Sequence, residues 1–139
     1  MEQFSKRGEY KNENYAKQLN SFEGLLRRRG ITPTDIDGLI DYNGKAFVIL
    51  EGKHGDARIP MGQRMALENI ANAMQDGGRQ VIVLVFRHYV KMPETINVSI
   101  QEVTEYYYNK KWHNVGENIN VLDAISKFED FCQKKDIIL

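Results

Sequence analysis

Two apolar stretches joined by Asn43-Gly44 constrain this chain more than any other feature. The first, Asp35 to Asp41, carries Ile36, Leu39 and Ile40; the second, Lys45 to Lys53, carries Phe47-Val48-Ile49-Leu50. Asn-Gly readily supplies the positive φ angles of a tight turn, so the two stretches predict a β-hairpin. Ala46 to Leu50 is apolar on both faces, which predicts that the second strand is central in its sheet. Three charges, Asp37, Glu51 and Lys53, are written into these strands. A buried, unpartnered ion costs on the order of several kcal/mol, so their presence calls for a compensating reason such as a metal ion.

Glu51 and Lys53 are two apart on a strand, so they share a face with Phe47 and Ile49 and lie about 7 Å apart along the backbone. Where Asp37 points depends on register. A strict two-residue turn pairs Ile36 with Glu51 and sends Asp37 to the opposite face. A longer or bulged connection brings Asp37 opposite Ile49 or Glu51. The second arrangement is expected, because two buried carboxylates on opposite faces would each lack a partner.

Flanking patterns supply the rest of the fold. Tyr15, Gln18/Leu19, Phe22 and Leu25/Leu26 predict an amphipathic helix from Asn14 that Gly30 ends. Gln63, Ala66/Leu67, Ile70 and Met74 predict a second helix, Met61 to Gln75, and Val81 to Phe86 reads as a buried strand. Strand, helix and strand in that order predict a crossover, with Val81–Phe86 parallel to Lys45–Lys53 in a mixed sheet. Thr95 to Tyr108 reads as a long strand, Asn109-Lys110-Lys111 as a turn, and Trp112 as the centre of a short partner strand. A last helix is expected at Val121 to Gln133. Tyr106-Tyr107-Tyr108 and Trp112 suit cross-strand packing or base stacking.

A chain of 139 residues, 42% of them hydrophobic and 27% charged, suits one domain around a single core. Its net charge of zero gives no global attraction to nucleic acid, so a polyanion site must come from local patches. Arg27-Arg28-Arg29, Lys110-Lys111 and Lys134-Lys135 are such patches or plain solvated faces. Cys132 is the single cysteine, which excludes an internal disulfide and a thiolate zinc cluster; a buried, inert thiol is expected. No apolar run approaches the roughly 20 residues that span a bilayer, and the N-terminus lacks a signal-peptide pattern. The expectation is a cytoplasmic protein with no membrane partner.

Two carboxylates brought together repel, and a hard divalent cation relieves that repulsion by taking their oxygens as ligands. Mg2+ suits such a site because it keeps several waters and needs one or two protein carboxylates. A lysine beside them can orient a water and stabilise growing negative charge on a phosphoryl group. Asp37 followed by Glu51-Gly52-Lys53 at the end of an apolar strand resembles the signature of the PD-(D/E)XK nuclease superfamily. The hairpin, the preceding amphipathic helix and the following helix-strand unit are similar to that family's αβββαβ core over residues 14–86. The pattern Thr-Pro-Thr-Asp-Ile-Asp-Gly, Glu-Gly-Lys and Gly62-Gln63 also resembles small phage-encoded proteins of this class.

The resemblance implies an α/β, restriction-endonuclease-like core with a mixed sheet flanked by helices, extended by a C-terminal hairpin and helix at residues 95–135. It implies Asp37, Glu51 and the Gly52 carbonyl as Mg2+ ligands, with Mn2+ able to substitute, and Lys53 as catalytic lysine. Gln63 would reach the site from the second helix or, equally, satisfy that helix's free backbone groups. DNA is the implied substrate, and a homodimer would suit the cutting of two strands. His54, Arg58 and Arg64 read as phosphate contacts, with a solvated loop residue the alternative for His54. His88 and His113 show no metal-ligand spacing. Asp35 competes with Asp37, and Glu13 or Glu23 with an ordinary surface carboxylate, for a place near the metal. Residues 30–34 leave little room for the family's first strand, which is expected to be minimal or supplied by the C-terminal hairpin. The alternative function is a catalytically inactive nuclease-fold module that binds DNA or protein; a third reading makes the charged strand residues a structural salt bridge.

Overall fold

The computed structural model describes residue 18 and residues 21–139. Contacts divide the chain into a unit of residues 1–33 and a unit of residues 34–139. In the first unit Gln18 is helical, but the expected helix does not continue to Gly30. Residues 14–17, 19 and 20 lie outside the described residues. Beyond them the Leu25 N–H donates to the Phe22 carbonyl at 3.1 Å across a turn in which Gly24 takes φ 86°. A single 3₁₀ turn, Arg28–Gly30, follows. Glycine is the poorest helix former after proline, and at Gly24 it yields the helical stripe to a turn.

The second unit is a five-stranded mixed sheet in the order β1-β2-β3-β4-β5, with one helix on each face. Its strands are β1 (Gly38–Asp41), β2 (Ala46–His54), β3 (Gln80–His88), β4 (Glu102–Tyr108) and β5 (Lys111–Asn114). The helices are α1 (Met61–Asp76), between β2 and β3, and α2 (Val121–Lys134). The α/β architecture is as expected, and β3 runs parallel to β2. Leu67 and Ala71 of α1 pack on Ile49, Val81 and Val83; Phe128 and Cys132 of α2 pack on Val48, Leu84 and Phe86. β2 and β3 are therefore buried from both sides, which is why both read as near-continuous apolar runs. Among the described residues no helix is long and apolar enough to cross a membrane.

The hairpin register is the one that the charges required. Asn43 and Gly44 take φ 56° and 78°, and the Lys45 N–H closes the turn onto the Tyr42 carbonyl at 3.0 Å. The Tyr42 N–H then donates to Ala46 rather than Lys45, at 3.0 Å, so Lys45 is an extra residue opposite Tyr42. That single bulge sets the pairing Gly38↔Leu50, Leu39↔Ile49, Ile40↔Val48 and Asp41↔Phe47, and one step further places Asp37 opposite Glu51. The Asp41 carboxylate caps the turn by accepting the Gly44 N–H at 2.6 Å.

Two expectations about the C-terminal part need correction. The strand expected from Thr95 begins at Glu102, after a 3₁₀ turn at Val98–Ile100. A side chain competes for the backbone there: the Gln101 amide donates to the Asn97 carbonyl at 2.9 Å, next to a Ser99–Asn97 side-chain bond at 2.8 Å. The β4-β5 hairpin, turned at Asn109 and Lys110 with φ 53° and 65°, extends the sheet beyond β3. It therefore stands at the far edge from β1 and does not supply a first strand beside it. Tyr107 meets Trp112 at 5.0 Å and Tyr106 stacks on His113 at 4.8 Å, so these rings serve cross-strand packing.

Gly52 has a packing role of its own. It pairs with Phe86, and a Cβ at Gly52 would lie 2.4 Å from the end of the Phe86 ring. Gly52→Ala should cost about 1–3 kcal/mol by overpacking, measured by urea unfolding, and Phe86→Leu in the same chain should recover part of the loss. Full stability of Gly52→Ala alone would show that the ring moves freely.

Candidate active site

β1 and β2 bring the first carboxylate to the second. Asp37, just before β1, accepts the Gly52 N–H through Oδ2 at 2.7 Å. In a regular ladder that N–H would go to the Ile36 carbonyl; the Asp37 side chain takes it instead and closes the strand end. N–H and C=O of one strand residue point to the same side, so the Gly52 carbonyl faces the Asp37 edge as well. Glu51 projects from the face covered by α1 and is 1% exposed. Its Oε2 receives Lys53 Nζ at 3.0 Å, and Lys53 Nζ also donates to Gln63 Oε1 at 2.9 Å. Gln63 thus reaches Lys53 from the first turn of α1. Asp37, Glu51, Gly52, Lys53 and Gln63 are gathered at one end of the sheet, where β2 delivers the chain into α1.

The electrostatics of Glu51 are unbalanced. Burial pushes its pKa above the ordinary value of 4.5, and Asp37 and then Asp35 push the same way; the hydrogen bond and charge of Lys53 pull back without cancelling the rise. Glu51 Oε1 is buried and has no hydrogen-bond partner. A buried carboxylate oxygen without a partner, a second carboxylate close enough to raise its pKa and a backbone carbonyl at the neighbouring strand edge would fit a hard divalent cation that keeps most of its waters. Among the described residues there is no cluster of three or more His, Cys, Asp or Glu side chains placed to cage a metal. Asp37, Glu51 and the Gly52 carbonyl are the groups that could hold such a cation.

The remaining expected residues divide. His54 follows Lys53, but strand alternation turns it to the other face, where its ring stands edge-on to His88 at 5.2 Å. Arg58 is exposed in the loop before α1. Arg64 is committed elsewhere: it pairs with Glu105 at 2.9 Å and lies over the Trp112 ring at 3.9 Å. Asp35 is exposed and acts on Glu51 more weakly than Asp37. Glu23 is exposed in a non-helical turn of the first unit, and Glu13 lies outside the described residues.

Two groups of residues were not anticipated. Arg87 is the parallel neighbour of Lys53 and donates to the carbonyls of Gly55, at 3.1 Å, and Ala57. It fixes the loop that joins Lys53 to α1. Its signal was a cation directly after the Val81–Phe86 run, one that only the parallel register sets beside Lys53. The second group clasps α1 to the C-terminal hairpin: Trp112 Nε1 donates to Glu68 at 2.6 Å, and the Tyr107 hydroxyl donates to Asn72 at 2.8 Å. With the Arg64–Glu105 pair, these contacts hold the helix that presents Gln63.

No protein-family model, curated protein or solved structure matches this chain. A raised pKa in the folded state means that Glu51 favours the fold while protonated, and that this contribution is lost as pH rises through the folded value. Relative to Glu51→Gln, the wild-type melting temperature should fall steadily as pH is raised from about 4 to about 8, and millimolar Mg2+ should narrow the gap. A gap that does not change with pH would mean that Lys53 fully compensates Glu51.

Proposed function

We propose that this protein is a Mg2+-dependent nuclease that hydrolyses DNA phosphodiester bonds. The observation that carries the reading is the divided state of Glu51: one oxygen on Lys53 at 3.0 Å, the other buried and unpartnered, with Asp37 across the hairpin. Asp37, Glu51 and the Gly52 carbonyl would hold the cation, which when bound supplies Lewis-acid polarisation of a phosphate oxygen and a more acidic water. Lys53 has three N–H donors and spends two of them, on Glu51 and Gln63. Its third N–H is left for the attacking water or a non-bridging phosphate oxygen, where it stabilises the charge that grows in the transition state. Gln63 holds Lys53 through its carbonyl oxygen and keeps its NH2 group for a substrate oxygen.

A structural salt bridge is the competing reading, because the Lys53–Glu51 contact exists. Against it stands the second oxygen: a pair built only for stability would leave neither carboxylate oxygen buried without a partner, and Glu51 Oε1 is. Cleavage of plasmid and oligonucleotide DNA with Mg2+ or Mn2+ should be abolished by chelator and fall at least about a hundred-fold in Lys53→Ala and in Glu51→Ala. Gln63→Ala, which loses a residue that orients Lys53, should lose about ten-fold. Undiminished cleavage by both Glu51→Ala and Lys53→Ala would overturn the assignment. Lys53→Ala that melts far below wild type while wild type shows no cleavage would favour the salt bridge.

A further inference from the structure

Parallel register sets His54 beside His88 at the carboxyl ends of β2 and β3, where the chain leaves the sheet through Gly55 on one strand and Tyr89 on the other. The two exits are tied together. The Gly55 N–H donates to the His88 carbonyl at 2.8 Å, and Arg87 donates to the carbonyls of Gly55 and Ala57. The His88 ring is fixed in turn, its Nδ1 accepting the Val90 N–H at 3.3 Å.

On this base stands an aromatic group with no role in the core. The rings of His54 and His88 meet edge-on at 5.2 Å, and the Tyr89 ring lies 6.4 Å from His54. A Cβ at Gly55, which takes φ 57°, would come within 3.8 Å of Tyr89 Cε1, so the ring rests beside that turn. Tyr89 is nevertheless 70% exposed. The group lies on the sheet face opposite Lys53 but at the same carboxyl ends of β2 and β3, and the exposed Arg58 and Lys91 follow on the same two loops, together with the exposed Asp56 and Glu94.

An exposed, braced ring with Arg58 and Lys91 on the loops beside it suits nucleic acid whose bases are free, because any unpaired base offers a π-face while a base inside a duplex is already stacked. We propose that Tyr89, supported by His54, is a stacking platform for an unpaired base of the strand entering the site, so that single-stranded and frayed DNA ends bind in preference to blunt duplex. DNA as the ligand rests on the nuclease reading of Lys53.

The test measures binding without chemistry. In the Lys53→Ala protein, Tyr89→Ala should weaken binding of a short fluorescein-labelled oligo(dT) about ten-fold by anisotropy, while Tyr89→Phe leaves it unchanged. Binding of a blunt duplex of equal length should be the same in all three proteins. Tyr89→Trp should add an emission that oligo(dT) quenches, above the signal of Trp112, the chain's one tryptophan. Unchanged oligo(dT) binding by Tyr89→Ala, an equal loss on both ligands, or no oligo(dT) binding by the Lys53→Ala parent would each overturn the platform. Tyr89-dependent binding together with a wild-type protein that cleaves nothing would overturn the nuclease reading and leave the platform standing.

Discussion

The cost of ionising Glu51 inside an apolar sheet is the constraint around which the second unit is arranged. Val85 stands beside it in the parallel ladder, Ile49 and Leu67 belong to the core on the same face, and only 1% of its surface meets solvent. A Val or Ile there would suit the sheet better by any measure of burial. Lys53 answers one of its two oxygens. Everything that places Asp37 nearby makes the deficit worse, since a second carboxylate raises the cost of charging the first. A fold that stabilised only itself would separate these groups, and the hairpin does the reverse through one extra residue at Lys45.

Local stability and site geometry are carried by the same contacts. Gly52 is small because the Phe86 ring occupies the space of a side chain on the α2 face, and its N–H is held by Asp37 at the strand edge. The X of the acid-X-Lys triplet therefore ties the site to the core beneath it. On the other face, the Arg64, Trp112, Glu105 and Glu68 contacts dock α1 onto the C-terminal hairpin, far along the chain from the residues they help to place. Through α1 they set the position of Gln63, and through Gln63 the position of the Lys53 ammonium group.

Local patterns made much of this legible. The Asn43-Gly44 turn, the central character of β2, the β2-α1-β3 crossover and the last helix follow from period and turn chemistry, and the register followed from asking where two carboxylates find partners. Reading failed where the deciding contact is distant or the preference weak. Arg64 at a helix start looks like an anion contact, and only the docking of β4-β5 shows that Glu105 and Trp112 hold it. Gly24 broke a stripe that periodicity alone continued to Gly30. Gln101 helped to bend a segment whose alternation suggested strand, because its side chain offered the Asn97 carbonyl another partner. Arg87 carried no motif at all; its place beside Lys53 exists only once β3 is paired.

Arg87 also shows why the charge at the site stays unbalanced. By register it stands next to Lys53, on the face of Glu51, and a guanidinium is the better partner for a buried carboxylate. It turns instead to the Gly55 and Ala57 carbonyls and braces the loop. One lysine is left to face Glu51, Asp37 and the weaker field of Asp35. A sheet end with two adjacent cations thus keeps a negative, partly desolvated corner. The excess there is what a divalent cation would neutralise, and the cation that could have neutralised it from within the protein is used to hold the loop rigid.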